Sequence, residues 1–267
     1  MKKIPVLIYT DIGDDIDDSL AISYLAYCDD IHIVGIICDS RKNNYRKDMT
    51  KKLLNILDYQ TSILGSQHKR VLKNILTTYG KDLVILSIAS NKRLKKDMED
   101  FPILFGNIKR IYFQGHVYFN NKKIFADMHS YNFTQDPESI KYILEYKIPM
   151  TFVGKYIAYE APITKDYFTI LSQNNPSVCN ILYQRAQEWK TKFKKLNPEI
   201  FEKLYGKDSN IMSYPYDLIT AIVINKEKMF IKNSIGKIDL IGQEKNQKGI
   251  KNISEFKKYI INIFKKH

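Results

Sequence analysis

The stretch Tyr9-Thr10-Asp11-Ile12-Gly13-Asp14-Asp15-Ile16-Asp17-Asp18 places five aspartates within eight positions, directly after an apolar run at residues 4–8. Carboxylates this close resist ionising together unless a cation or a set of hydrogen-bond donors compensates them. Helix capping explains one or two, because acidic side chains are favoured beside the free N–H groups and positive dipole end of a helix start. Five exceed that need, and a hard divalent cation held by oxygen ligands is the chemistry the pattern predicts. The spacing is not that of an EF-hand, which requires D-x-[DN]-x-[DN]-G and a terminal Glu. It also lacks a D-x-D nucleophile pattern, since the second residue after Asp11 is Gly13.

These residues need a frame to hold them. Residues 4–9, 31–38, 61–64, 83–88, 110–113 and 150–153 read as short strands, most of them apolar throughout as in a buried parallel sheet. Residues 17–27, 44–59 and 136–146 read as helices between them, the last opened by Asp136 as N-cap with Pro137 and Glu138 in the first turn. The alternation predicts βαβ units: an α/β, Rossmann-like architecture with a mostly parallel central sheet flanked by helices. In such sheets the loops at the carboxyl ends of the strands converge on the ligand. Farther on, residues 176–205 read as mostly helical, 214–225 as a helix, 229–241 as a hairpin around Gly236, and 253–265 as a final amphipathic helix.

The 267 residues are 44% hydrophobic, enough for one substantial core, and no composition break, repeat or low-complexity run divides them. Residues 1–267 are expected to form a single domain. The apolar run at the amino terminus is too short for a signal-peptide core, and nothing approaches the ~18 apolar residues of a membrane span. Cys28, Cys38 and Cys179 show no C-x-x-C spacing, so neither a disulfide framework nor a thiolate zinc site is predicted. A reduced, cytoplasmic protein with no membrane partner is the expectation. The net charge of +13 invites a nucleic-acid reading, but only six of the 42 basic residues are arginines and the lysines are dispersed, so a nucleic-acid partner is disfavoured.

The aspartate loop resembles the amino-terminal signature of the nucleoside hydrolases, D-x-D-x-G-x-D-D after the first strand, with two extra residues between Gly13 and the Asp17-Asp18 pair. Two further segments carry the resemblance. Ser130-Tyr131-Asn132-Phe133, followed by Asp136-Pro137-Glu138, is similar to the family's A-E-F-N-x-x-x-D-P-E-A segment, and Tyr214 to Ala221 (YPYDLITA) is similar to its H-D-P-L-A segment. Residues 85–91 (ILSIASN) weakly echo the T-G-P-L-T-N loop. The resemblance spans about the whole chain and implies the nucleoside hydrolase fold and Ca2+-dependent hydrolysis of the N-glycosidic bond of a ribonucleoside or related riboside. It implies Asp11, Asp18, Asp217 and a main-chain carbonyl near Leu86 as calcium ligands, and Asp11 also as general base. Asp17, Asn132 and Ser130 would contact the ribose, and a homo-oligomer, dimer or tetramer, is expected.

The chain also departs from the family pattern. Ser130 stands where the family has Glu, Tyr216 where it has the His that helps the leaving base depart, and Tyr9 at the first Asp of the signature. A phenol, with a pKa near 10, is a weaker acid than imidazolium. Tyr216 and His129, the residue before Ser130, are the candidates for the leaving-group acid. These substitutions keep a second reading open, a catalytically impaired relative that binds calcium and a ribose-like ligand. Of the remaining marked residues, His32 is expected to be structural, His68 to be a solvated residue in a basic loop, Cys28 and Cys38 to be packed, and Trp189 to cover a pocket mouth or a subunit contact. The basic stretch 39–46 reads either as an anion-selecting loop or as a solvated one.

Overall fold

The computed structural model describes residues 2–39, 44–65, 68–120, 123–173, 176–206 and 208–265. In chain order the strands are β1 (Ile4–Thr10), β2 (Ile31–Cys38), β3 (Ile63–Leu64), β4 (Val84–Ser87), β5 (Arg110–Gln114), β6 (Val117–Asn120), β7 (Lys123–Ala126), β8 (Met150–Val153), β9 (Ile163–Thr164), β10 (Ile211–Ser213), β11 (Lys232–Ile235) and β12 (Ile238–Ile241). Eight of them form one sheet in the order β11-β12-β8-β5-β4-β1-β2-β3, parallel except for the β11–β12 hairpin. The pairs β6–β7 and β9–β10 are separate antiparallel ribbons.

The sheet is covered on both faces, as its near-continuous apolar strands require. Along β1 the side chains alternate: Val6 and Ile8 enter one core, Leu7 and Tyr9 the other. The first core is closed by α1 (Asp17–Tyr27), α2 (Tyr45–Ile56), α8 (Lys165–Ser172), α9 (Pro176–Leu196), α11 (Tyr216–Lys226) and α12 (Ile253–Lys265). The second is closed by α3 (Lys69–Tyr79), α4 (Lys92–Asp100), α5 (Pro102–Gly106), α6 (Tyr131–Thr134) and α7 (Pro137–Leu144). α10 (Pro198–Tyr205) packs on α9.

The winding decides where a ligand can sit. From β1 the chain moves outward through α1 and α2 to β2 and β3; it then crosses the other face through α3 and enters β4 on the opposite side of β1. The connections leaving β1 and β4 therefore diverge, which opens a crevice at their carboxyl ends, the topological switch point of a doubly wound sheet. The aspartate loop follows β1 at that point.

The predicted elements are present with shifted ends. α2 stops at Ile56 rather than at residue 59, where Asp58 takes a left-handed φ of 48° that a helix cannot continue. Asp136 caps α7 as predicted, its Oδ1 accepting from the Ser139 amide at 3.2 Å, and Gly236 turns the last hairpin with φ 61°. His68 departs from expectation: it is only 2% exposed and bonds Asp97 at 3.0 Å, so it is a buried partner and not a solvated loop residue. His32 is on β2 but faces outward, edge-on to Tyr79. Cys28, Cys38 and Cys179 are all buried free thiols. No helix among the described residues is long and apolar enough to cross a membrane.

Gly115, at the end of β5, shows how tightly the site's floor is packed. A Cβ there would lie 2.2 Å from Cζ of Phe133, a fully buried ring next to Asn132. Gly115→Ala is expected to destabilise the fold by roughly 1–3 kcal/mol, read as a lower denaturation midpoint with an unchanged m-value.

Candidate functional site

The end of β1 is pinned from both sides. The Asp39 amide donates to the Thr10 carbonyl at 3.0 Å and the Ile88 amide to the Tyr9 carbonyl at 3.0 Å. Beyond it the chain folds back on itself: Thr10 Oγ1 accepts from the Ile12 amide at 3.1 Å and donates to Asp18 Oδ1. Gly13 has φ 136°, and the Tyr45 hydroxyl donates to its carbonyl at 3.0 Å with the ring against its α-carbon. The two residues that lengthen the loop serve as anchors. Asp14 pairs with Lys192 of α9 at 2.8 Å, and Asp15 Oδ1 accepts from Ser213 Oγ of β10 at 3.0 Å and from the Ile16 amide at 2.6 Å. α1 then begins with Ile16 at its N-cap and no side-chain cap, so capping does not explain Asp17 and Asp18.

Asp17, Asp18 and Asp217 converge, each offering a carboxylate oxygen within 4.8 Å of the others. All three are at most 7% exposed. Asp217 comes from the first turn of α11, whose amide at that residue faces Asp17 Oδ2 at 3.5 Å. Asp11 Oδ2 lies 3.5 Å from Arg46, which also approaches Asp39 at 3.9 Å, and Ser90 Oγ donates to Asp39 at 2.7 Å.

Burial is the main force on these acids, and their mutual repulsion adds to it. Desolvation pushes Asp11 up to about 6, with Arg46 opposing it and Asp39 and Asp14 reinforcing it. Asp15 is also pushed up to about 6, chiefly by burial, against the Ile16 and Ser213 hydrogen bonds. Asp17, Asp18 and Asp217 rise well above the ordinary carboxylate range, first from burial and then from neighbouring carboxylates, Asp15 the largest on Asp17, Asp11 on Asp18 and Asp17 on Asp217. A cluster of buried carboxylate oxygens whose charged form lacks counter-charge has the donor chemistry that suits a hard divalent cation.

Other residues marked by the sequence are placed as follows. Asn132, 6% exposed, donates from Nδ2 to the Gln114 side chain at 3.0 Å at the end of β5. Ser130 is buried, and its Oγ accepts from the His116 amide at 2.7 Å. His129 is turned outward, its side chain 86% exposed and paired with Asp127 at 2.8 Å. Tyr216 precedes Asp217 and stands edge-on to Tyr159; burial and the Tyr159 hydroxyl raise its phenol, which makes it a hydrogen-bond donor more than an acid. Leu86 lies within β4, in register with Ile8 and Tyr112, and the turn after this strand begins at Ile88. Residues 40–43 of the basic stretch are outside the described residues; Asn44, Tyr45 and Arg46 lead into α2.

Two features were not visible in the sequence. Tyr9, at the family's first Asp position, donates to Asp97 Oδ2 at 3.1 Å, and Asp97 also bonds His68 and Arg93, so this buried network holds β1 from beneath. His116 follows β5 half-buried, edge-on to Tyr156 at 5.5 Å, and its Nδ1 has no partner among the described residues. Burial lowers its pKa, against a raising contribution from Asp127. Only its place after a strand end could have marked it.

Without cations the carboxylate cluster works against folding at neutral pH. Asp18→Asn retains an acceptor for Thr10 while removing one buried charge. In chelator at pH 7.5 it is expected to raise the unfolding midpoint by about 2–4 °C, the equivalent of ~1 kcal/mol in a chain of this size. Scanning calorimetry against wild type reads it, and a lower midpoint would contradict the electrostatic account.

No family model and no curated protein matches the sequence. Solved structures do match in shape. The type III effector XopQ, in complex with adenosine diphosphate ribose, superposes with a TM-score of 0.84 at 12% identity, covering 100% of this chain and 94% of its own. The inosine-uridine preferring nucleoside hydrolase of Bacillus anthracis matches at 0.64 and 14% identity, with 100% of both chains covered. The plant nucleoside hydrolase PpNRh1 matches at 0.68 and 14%, with 98% of both covered. With its mostly parallel eight-stranded sheet and helices on both faces, this chain has the fold of the nucleoside hydrolases.

Proposed function

We propose that the chain hydrolyses the N-glycosidic bond of a ribonucleoside or related riboside and requires calcium to do so. The observation that supports this most is the convergence of Asp17, Asp18 and Asp217, from opposite ends of the sequence, at the switch point of a nucleoside hydrolase fold. In this reading Asp11, Asp18 and Asp217 hold the cation, joined by a main-chain carbonyl near Leu86. When bound, calcium would neutralise the cluster, anchor the vicinal ribose hydroxyls and acidify water.

The protein's own groups carry the remaining roles. Asp11, whose carboxyl is easily protonated in this setting, accepts the proton of the attacking water at a carboxylate oxygen. Asp17 accepts hydrogen bonds from ribose hydroxyls, with Asn132 and Ser130 completing the sugar contacts. As the bond to the base breaks, positive charge grows on the sugar ring, and the surrounding carboxylates stabilise it. Tyr216 donates a hydrogen bond to the departing base, and His129 or His116 supplies the proton. His129 stands outward and paired with Asp127, and His116 is half-buried with burial lowering its pKa, so His116 takes up a proton less readily than a free imidazole. A reduced cytoplasmic setting and a homo-oligomer accompany this proposal.

A second reading has its own support. Ser130 is committed to the His116 amide, and Tyr216 stands in an aromatic cluster with Tyr159 and Tyr214 where an imidazole would be the better acid. The TM-score to XopQ, whose structure holds adenosine diphosphate ribose, exceeds those to the nucleoside hydrolases named above. Under this reading the chain binds calcium and a ribose-like ligand without cleaving it.

Chromatography of a nucleoside panel, with calcium or with chelator, separates the two readings. Hydrolysis predicts calcium-dependent release of free base, reduced by at least about 100-fold in Asp11→Asn, the scale of a lost general base. Ligand-induced stabilisation without release across the panel would favour binding alone.

The cation should also reshape the pH dependence of stability. Asp11 and Asp15 rise from 3.8 to about 6 in the folded chain, so between these values the folded state holds protons that the unfolded state has released. Their contribution is fully present below about 4 and is lost as the pH rises through about 6. Calcium should therefore raise the unfolding midpoint more at pH 7.5 than at pH 5, where protons compete for the same oxygens. An equal gain at both values in calorimetry would contradict carboxylate ligation.

A further inference from the structure

Beside the aspartate loop, between α2 and α9, lies a cavity of about 550 Å3 whose walls include Gly13, Asp14, Tyr45, Met49, Arg185 and Trp189. This volume is within the range of small-molecule sites, and Trp189 and Tyr45 give it aromatic walls. Its charges are mixed. Asp14 is already paired with Lys192, and Lys52 shares the wall with Asp48 and Glu188, so net charge does not select its ligand.

Unsatisfied donors do. Arg185 Nη1 donates to Ser19 Oγ at 3.0 Å, but Nη2 is buried with no hydrogen-bond partner among the described residues. Arg46, beside Tyr45, has a buried Nε in the same condition. A buried, unmatched guanidinium N–H is costly, and its natural complement is a phosphoryl or carboxylate oxygen. Only six arginines occur in the chain, and two of them flank this loop with spare donors.

The chemistry of a riboside says which anion this is. If the carboxylate cluster takes the vicinal hydroxyls and the base departs from C1′, the ribose position left for an anionic extension is O5′. We infer that the riboside recognised by this chain carries a phosphoryl group at O5′, and that Arg185, on the wall of this cavity, binds it. The inference rests on the riboside reading above and narrows it from neutral nucleosides to nucleotide-type substrates, with the cavity receiving whatever extends beyond the phosphoryl group.

Ribose and ribose 5-phosphate test this without knowledge of the base. Calorimetric titration of the calcium-loaded protein should show ribose 5-phosphate binding about tenfold or more tightly than ribose, the scale of one charge-assisted hydrogen bond. Arg185→Gln should bring the ratio close to one with ribose affinity unchanged, which also shows the variant to be folded; Arg185→Lys should keep part of the preference. Equal affinities in the wild type would overturn the inference and leave the riboside reading intact. A preference that persists in Arg185→Gln would overturn the role of Arg185, assigning the phosphoryl group to the cation instead. Failure of the wild type to bind either sugar would overturn both readings.

Discussion

The arrangement depends on one electrostatic constraint: several carboxylates are held together, out of water, at the carboxyl end of the first strand. Each is destabilised first by burial and then by its neighbours. Such a cluster persists only because the surrounding structure over-determines it. Thr10 and Asp18 are tied to each other, Asp14 and Asp15 are fastened to α9 and β10, and Tyr45 closes over Gly13. The burial of α1 and α11 supplies the rest, since both helices are packed almost throughout and deliver Asp17, Asp18 and Asp217 with little freedom. Stability elsewhere is therefore spent on a local arrangement that has no merit for folding alone, as is common where a protein binds or reacts.

The loop's extra length fits this account. In the shorter signature that it resembles, the same sheet position leads into the aspartate pair with two fewer residues. Here the additional carboxylates bridge to elements far along the chain, and Asp14 also lines the adjoining cavity. Five aspartates in the sequence thus divide by environment: Asp17 and Asp18 face Asp217, Asp11 faces Arg46, and Asp14 and Asp15 act as tethers.

Much of this was legible in the sequence, for reasons that differ by element. β1, α1 and β2 were readable because buried parallel strands are apolar throughout and are punctuated by polar loops. The aspartate loop announced itself because like charges do not gather without cause. Pairings across long separations were not readable. His68 follows Gln67 and precedes Lys69 and Arg70, which suggests solvent, yet its partner is Asp97, 29 residues away. The β6–β7 ribbon carries a weaker signal because its apolar runs are only three residues each and all but Val117 are partly or fully exposed. His116 carries no local signal, because its isolation is a property of what packs around it. The role of each aspartate within the cluster was likewise beyond spacing alone, which cannot say which carboxylate meets an arginine.

Asp17 and Asp217, which meet in the folded chain, are 200 positions apart. During synthesis the amino-terminal half of the sheet can emerge and begin to pack while α11 is still untranslated, so a nascent chain has the repelling half of the cluster without its closing member. Domain folding in such topologies waits on distant contacts. Any ligand that requires both halves is thereby a selective ligand of the finished chain: it rewards completion of the fold, and truncated or stalled products are denied that reward.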